Sequence, residues 1–252
     1  MIPFNSVGII GLGNFGAFLQ ERIKEALGDK VQILGFDTDP KRKGNASFRE
    51  VAACDLVVPA VPIPAFASTV DRILSAGTFR GTVVDVSSVK LHPLNVLRNL
   101  PPDVSWSLWH PLFGPQSFAE NENRLKGLPI VMCEDSKHRQ AQLSTWFLWS
   151  EILKLDIHQM DADEHDRTVS AYQFLTQYFG RCVEEVISGV INEKVQTYST
   201  QLFHQAMRIV GGDEQLFWWV YEYNEYCAQY AELVERKVAT MRQKRLAIRV
   251  RK

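Results

Sequence analysis

A short apolar run, Ser6 to Ile10, breaks into Gly11-Leu12-Gly13-Asn14-Phe15-Gly16, and a helical pattern follows at once. From Asn14 to Leu27 the residues Phe15, Phe18, Leu19, Ile23 and Leu27 recur at helical spacing, the mark of one apolar face. A second apolar run, Val31 to Phe36, then ends in Asp37. Strand, tight turn, helix and strand in that order force two parallel strands joined by a right-handed crossover. No other feature constrains the fold as much, because parallel strands need cover on both faces.

The rest of the first half obeys that constraint. Leu56 to Ala60, Thr82 to Val86, Ser105 to Trp109 and Ile130 to Cys133 read as buried strands. Pro64 to Ser75, Leu91 to Leu100 and Ser136 to Ser150 read as helices between or after them. The expected fold is α/β: an N-terminal Rossmann-type doubly wound parallel sheet followed by an all-helical C-terminal domain. The boundary is placed near residue 160, because strand-like runs stop there and no proline follows Pro129. Residues 1–160 would form the nucleotide-binding domain and 161–252 the helical one. An aromatic-rich stretch, Phe217 to Tyr230, is too apolar to leave in water and is expected to pack within its domain or on a partner. The tail from Arg236 to Lys252 carries eight basic residues and no acid; it reads as a solvated helix end, or as a contact for an acidic partner.

Bulk properties exclude several classes. Apolar residues at 46%, charged residues at 23% and a formal net charge of −1 give no reason to expect nucleic acid or an anionic membrane. The four cysteines lie far apart, so reduced thiols are expected and a metal site is not. No apolar run approaches the ~20 residues of a membrane span, and no signal pattern opens the chain. A cytoplasmic location is the expectation.

The turn at residues 11–16 fits G-x-G-x-x-G. Such a motif means little alone, but here it follows a strand and opens a helix. Gly11 would permit the tight turn, Gly13 would let a pyrophosphate approach the backbone, and Gly16 would let helix and strand pack closely. The helix start, with Leu12, Asn14 and Phe15, would present N–H groups and the positive dipole end to phosphates. Asp37 stands where a carboxylate accepts the hydrogen bonds of a ribose 2′-OH and repels a 2′-phosphate, which favours NAD. The basic Lys41-Arg42-Lys43 keeps NADP open. Ala60-Val61-Pro62 ends a strand at the sheet edge where such a cofactor lies, or is a plain strand-end turn.

Three further segments carry chemistry: Asp85-Val86-Ser87-Ser88-Val89-Lys90, His110-Pro111-Leu112-Phe113-Gly114-Pro115, and Asp161-Ala162-Asp163-Glu164-His165-Asp166. His110 falls at a strand end, held by prolines and a glycine. With the glycine motif these segments resemble the prephenate dehydrogenase (TyrA) family in order and spacing. The likeness is closest to the dehydrogenase part of the bifunctional chorismate mutase–prephenate dehydrogenases and runs from Val7 to about Trp219. No mutase-like segment precedes the glycine motif, so mutase activity is not expected.

The resemblance implies NAD-dependent oxidative decarboxylation of prephenate to 4-hydroxyphenylpyruvate. It makes His110 the catalytic base, which suits an imidazole with an ordinary pKa of about 6.5. It makes Ser88 the serine that hydrogen-bonds this histidine; the plain alternative is a helix N-cap. Arg208 matches the arginine that grips the ring carboxylate, although the segment before it is several residues short. His165 matches a histidine near the domain junction, which places it with Gln177 and Arg208 among the substrate-binding residues; the plain alternative is a helix-start histidine paired with a nearby carboxylate. Twelve residues on, where the family usually has a second pocket histidine, this chain has Gln177. An altered pocket there opens arogenate or 4-amino-4-deoxyprephenate as substrates. The resemblance also implies a homodimer through the helical domain and active sites in the cleft between domains. Two rival readings stand beside it. A different β-hydroxyacid-type dehydrogenase would need a lysine on the long helix, and Asp161 to Ile191 contains none. A non-catalytic NAD-binding regulatory protein would have no use for His110 and Ser88.

Overall fold

The computed structural model of the protein describes residues 2–42, 44–77, 79–133, 139–187, 197–210 and 213–250, without the side chains of 207–210 and 245–250. The chain divides into two compact units, Met1–His165 and Asp166–Lys252.

In the first unit, seven strands among the described residues form one sheet: β1 (Ser6–Ile10), β2 (Gln32–Phe36), β3 (Leu56–Pro59), β4 (Thr82–Asp85), β5 (Ser105–Pro111), β6 (Pro129–Cys133) and β7 (Asp156–Met160). Their order is β2-β1-β3-β4-β5-β6-β7, and β1 to β5 are parallel. The expected doubly wound sheet is there, with one difference. β6 pairs antiparallel to β5, and β7 pairs parallel to β6, so the last two strands run against the first five. β6 is as apolar as the parallel strands, and its direction leaves no trace in composition. β7 was not expected: its sequence, DIHQM, lies at the sheet edge with polar residues exposed, so it lacks the apolar run of a central strand.

Alternation along each strand sorts the core onto two faces. Val7, Ile9, Leu56, Val58, Trp109 and Ile130 lie in one cluster with Leu19 and Ile23 of α1 (Asn14–Leu27) and Trp149 beyond α6 (Arg139–Trp146); the short α5 (Pro115–Glu120) packs on α1 through Phe118 and Phe18. Val57, Val83, Trp106, Leu108 and Val131 lie in the other, under α2 (Phe48–Ala52), α3 (Phe66–Ser75) and α4 (Leu91–Arg98). Full burial of residues such as Ile23 or Leu56 contributes about 1.5–3 kcal/mol each. The helix read from Ser136 to Ser150 is seen from Arg139; it opens into a π-helical turn at Phe147–Ile152.

α7 (Ala162–Val169) carries the division between the units within it. The second unit continues through a π-helical turn, Ser170–Phe174, into α8 (Leu175–Ile187), α9 (Tyr198–Val210), α10 (Glu214–Tyr223) and α11 (Glu225–Val250). Its core is small: Phe174 stacks on Phe217 at 5.3 Å between ring centroids, with Cys227 and Ala231 behind them. A buried polar knot adds to it. Asn224, between α10 and α11, donates from Nδ2 to the Asp166 carbonyl at 2.9 Å, and its Oδ1 accepts from the Tyr226 N–H at 3.1 Å. Ser170 Oγ donates to the same carbonyl at 2.8 Å. Asn224→Ala removes a cap and half-strands a buried carbonyl, so a loss of about 1–3 kcal/mol is expected from the urea midpoint. An unchanged midpoint would mean that this knot contributes nothing.

Candidate active site

The glycine turn is built by close backbone packing. Gly11 has φ +93°, and its N–H donates to the Phe36 carbonyl at 2.8 Å. A Cβ on Gly11 would collide with the Ala60 carbonyl oxygen, and one on Gly16 with the Gly11 carbonyl oxygen. Only glycine lets α1 start so tightly against the ends of β1 and β3. Val61 lies against Gly11, while Pro62 is exposed.

The residues present suit a dinucleotide phosphate. The first turn of α1 carries neither a side-chain cap nor an acidic residue, so its N–H groups are left for an anion. Beside Gly13 the space is open, the Arg42 guanidinium being 3.6 Å from where a Cβ would stand. Leu12 is different: its N–H is already spent, donating to Asp37 Oδ2 at 2.6 Å. Asp37 Oδ1 accepts from the Asp39 N–H at 2.8 Å, and Arg42 lies 3.4 Å from Oδ2. Burial alone would raise the Asp37 carboxyl; these hydrogen bonds and the Arg42 charge outweigh it and hold the group below its ordinary range. Asp37 therefore braces the turn.

His110 lies at the carboxyl end of β5, opposite Val131, and is 3% exposed. Its Nδ1 is 2.8 Å from Nε2 of the fully buried His165, with the rings nearly edge to face. His165 is delivered by the first turn of α7, where Asp161 Oδ1 accepts from the Glu164 N–H at 2.8 Å and caps the helix. When His110 donates from Nδ1 to His165, its Nε2 keeps a lone pair. That atom makes no hydrogen bond among the described residues. Burial first, then the His165 and Lys90 charges, holds His110 well below its ordinary 6.5; burial and Lys90 push His165 down to about 3. Both rings are neutral near pH 7, as a proton acceptor must be.

The loop after β4 stands beside them. Ser88 is half-buried there; its hydroxyl bonds neither His110 nor the start of α4, whose cap position is Lys90. Lys90 has no exposed surface, pairs with the equally buried Asp85, and donates to the Trp109 carbonyl at 2.7 Å. Ser87 Oγ and N–H both bond Asp85 Oδ1. Burial pushes the Asp85 carboxyl up, against the Lys90 ammonium and these two bonds.

The structure thus gathers the glycine turn, Asp37, Ala60, Ser88 and His110 along one carboxyl edge, with His165 paired to His110. Gln177, on α8, is half-buried, and Arg208 is on α9 with its side chain outside the described residues; both belong to the second unit. The sequence reading left two roles unassigned: His165 as the partner of His110, and Lys90 with Asp85. The five-residue spacing from Asp85 to Lys90 within a specific motif was the available signal for the second. Among the described residues no group of histidines, cysteines and carboxylates could hold a metal.

A doubly wound sheet with an open helix start and a neutral histidine at the same edge defines a nucleotide-dependent oxidoreductase fold. Residues 25–151 match the family model described as the prephenate dehydrogenase nucleotide-binding domain. The chain belongs to the prephenate dehydrogenase family, a family of oxidoreductases. Arogenate dehydrogenase 2 and arogenate dehydrogenase 1 of Arabidopsis thaliana, both chloroplastic, are 24% and 27% identical to it over 91% of this chain. The chain spans 66% and 38% of those two proteins. Its fold resembles prephenate dehydrogenase from A. aeolicus, solved with hydroxyphenyl propionate and NAD+, with a TM-score of 0.72 at 19% identity, covering 95% of this chain and 90% of that one.

The histidine pair makes stability sensitive to acid. In the unfolded chain each imidazole titrates near 6.5. Above that pH both states are neutral and nothing changes. Below it the unfolded chain takes up protons that the fold refuses, so stability falls, for His165 over the window from 6.5 to about 3. Each such histidine costs about 1.4 kcal/mol per pH unit once below its unfolded pKa. Tm is expected to drop more steeply between pH 7 and pH 5 in the native protein than in His165→Gln. Parallel curves would count against the buried pair.

Proposed function

We propose that the protein catalyses NAD-dependent oxidative decarboxylation of prephenate to 4-hydroxyphenylpyruvate, with residues 1–160 binding the nucleotide and 161–252 serving the substrate and a dimer contact. The observation that carries this reading is the neutral, nearly buried His110 with an open Nε2 at the sheet edge that carries the glycine turn. A bound nicotinamide would supply the hydride acceptor. His110 Nε2 takes the proton of the substrate hydroxyl as the ring carbon bearing it becomes carbonyl-like. The bond from the ring to its carboxylate then breaks, its electron pair enters the ring, and CO2 leaves. Aromatisation drives this last step, so no further acid is required.

Arogenate is the second reading. The two plant relatives support it, and so does Gln177, which can hydrogen-bond a side-chain amine or ketone but carries no charge. The amine analogue 4-amino-4-deoxyprephenate is the third. Arg208 is assigned the ring carboxylate, in keeping with the planar guanidinium's fit to carboxylates. NAD is favoured by Asp37, while Arg42 beside it is the group that would receive a 2′-phosphate. No described helix is long and apolar enough to cross a membrane, and a cytoplasmic location belongs to this reading.

The test is NAD(P)H formation with prephenate, arogenate and 4-amino-4-deoxyprephenate offered in turn with NAD or NADP. His110→Ala is expected to lower kcat by about 10²–10⁴-fold while dinucleotide Kd is unchanged. No turnover of any of the three by the native protein would overturn the reading, and an equal loss of dinucleotide affinity in the variant would remove His110 from the base role.

The second unit exposes Val186, Val238 and Met241 at 77%, 58% and 70%. We assign these residues to a contact with a second copy of this chain. Val238→Glu is expected to shift a dimer to monomer in sedimentation velocity; a native protein that sediments as a monomer would refute the assignment.

A further inference from the structure

The reaction scheme leaves the buried Lys90–Asp85 pair unused. Lys90 follows Ser88 in the loop after β4, and its whole side chain is inside the protein. Its ammonium reaches two elements at once: Asp85, the last residue of β4, and the carbonyl of Trp109, the residue before His110 on β5. The Trp109 ring is itself fixed, donating from Nε1 to Thr145 Oγ1 at 3.1 Å and packing 6.0 Å from Trp149. A lysine ammonium offers three donors and no acceptor, so two of them tie the loop of Ser88 to the strand end of His110.

We propose that Lys90 is the positioning residue of this site, a clamp that holds the Ser88 loop and the His110 backbone in one fixed arrangement and places a positive charge beside the histidine pair. The proposal rests on the reading of His110 as the proton acceptor. A misplacement of about 1 Å in such a group can cost about 10²-fold in rate, which is why a clamp one peptide from the base matters. The charge matters too. A cation near the imidazoles disfavours a second one, so His110 starts each cycle with Nε2 unprotonated. The titratable groups whose charges act on the His110 ring are His165 from α7 and Lys90 at the start of α4; Asp85 acts on His92 and pairs with Lys90, and β6 presents Val131. Of these, Lys90 and His165 both act to keep His110 neutral.

Lys90→Met alone would strand Asp85 in the core, so a loss of activity in it would not separate misfolding from a lost clamp. The informative variant is D85N/K90M, which removes both charges together and leaves similar volumes. Three quantities are read on it: histidine titration by NMR, kcat against dinucleotide Kd, and Tm. The expected result is an imidazole that titrates closer to 6.5 than in the native protein, kcat down about 10–100-fold, and dinucleotide Kd within about 2-fold. A lysine that only supports the fold would lower Tm and leave both the titration and kcat where they were, and that result overturns the proposal. The NMR titration needs no turnover. If the native protein oxidises none of the three substrates yet the imidazole shifts in D85N/K90M, the substrate reading fails while the clamp stands.

Discussion

Two opposite charges without exposed surface, the Lys90 ammonium and the Asp85 carboxylate, join the carboxyl ends of β4 and β5. Taking such a pair out of water costs several kcal/mol per ion, and mutual attraction recovers it only when the remaining donors and acceptors are satisfied. Here Ser87 serves the carboxylate and the Trp109 carbonyl serves the ammonium. Neighbouring parts of the site refer back to this pair: the loop carrying Ser88 lies between its members in sequence, and His110 follows the peptide that the ammonium holds.

The other end of the sheet edge solves a different problem with almost no side chains. Gly11, Gly16 and Ala60 bring three backbone segments into contact, and the first turn of α1 is left uncapped. Asp37 then draws the turn onto the end of β2 by accepting the Leu12 N–H. Close backbone packing shapes the glycine turn, and buried titratable groups surround the end of β5; one sheet aligns the two because β1 to β5 share a direction.

Much of this was legible in the sequence. Strands inside a covered sheet are rich in apolar residues whichever way they run, so β1 to β6 could be located within a residue or two, and the glycine spacing identified the turn. β7 was missed because an exposed edge strand such as DIHQM has neither an apolar run nor strict alternation. The π-helical turns at Phe147–Ile152 and Ser170–Phe174 could not be seen, since one extra residue in a turn barely disturbs apolar spacing. The motif marked His110, but its partner lies 55 positions away, and no local pattern links two distant histidines. Lys90 lies within one of the motifs, but a lysine at a helix start reads as solvated until its burial is known.

The reversal of β6 has a bearing on how this scaffold can change. A parallel strand after β5 would have sent the chain across to the far edge; instead, Leu112 hydrogen-bonds back to Pro129 and residues 112–128 stay above the working rim. That excursion is moored on α1, where Phe113 and Phe118 lie against Phe18, and Arg22 covers Phe118. Its tip, with Glu122 and Asn123 in left-handed backbone, pairs with no strand. Insertions or deletions at that tip would remodel the rim next to His110 without disturbing a single rung of the ladder, giving evolution a place to vary what surrounds that imidazole while the imidazole itself stays put.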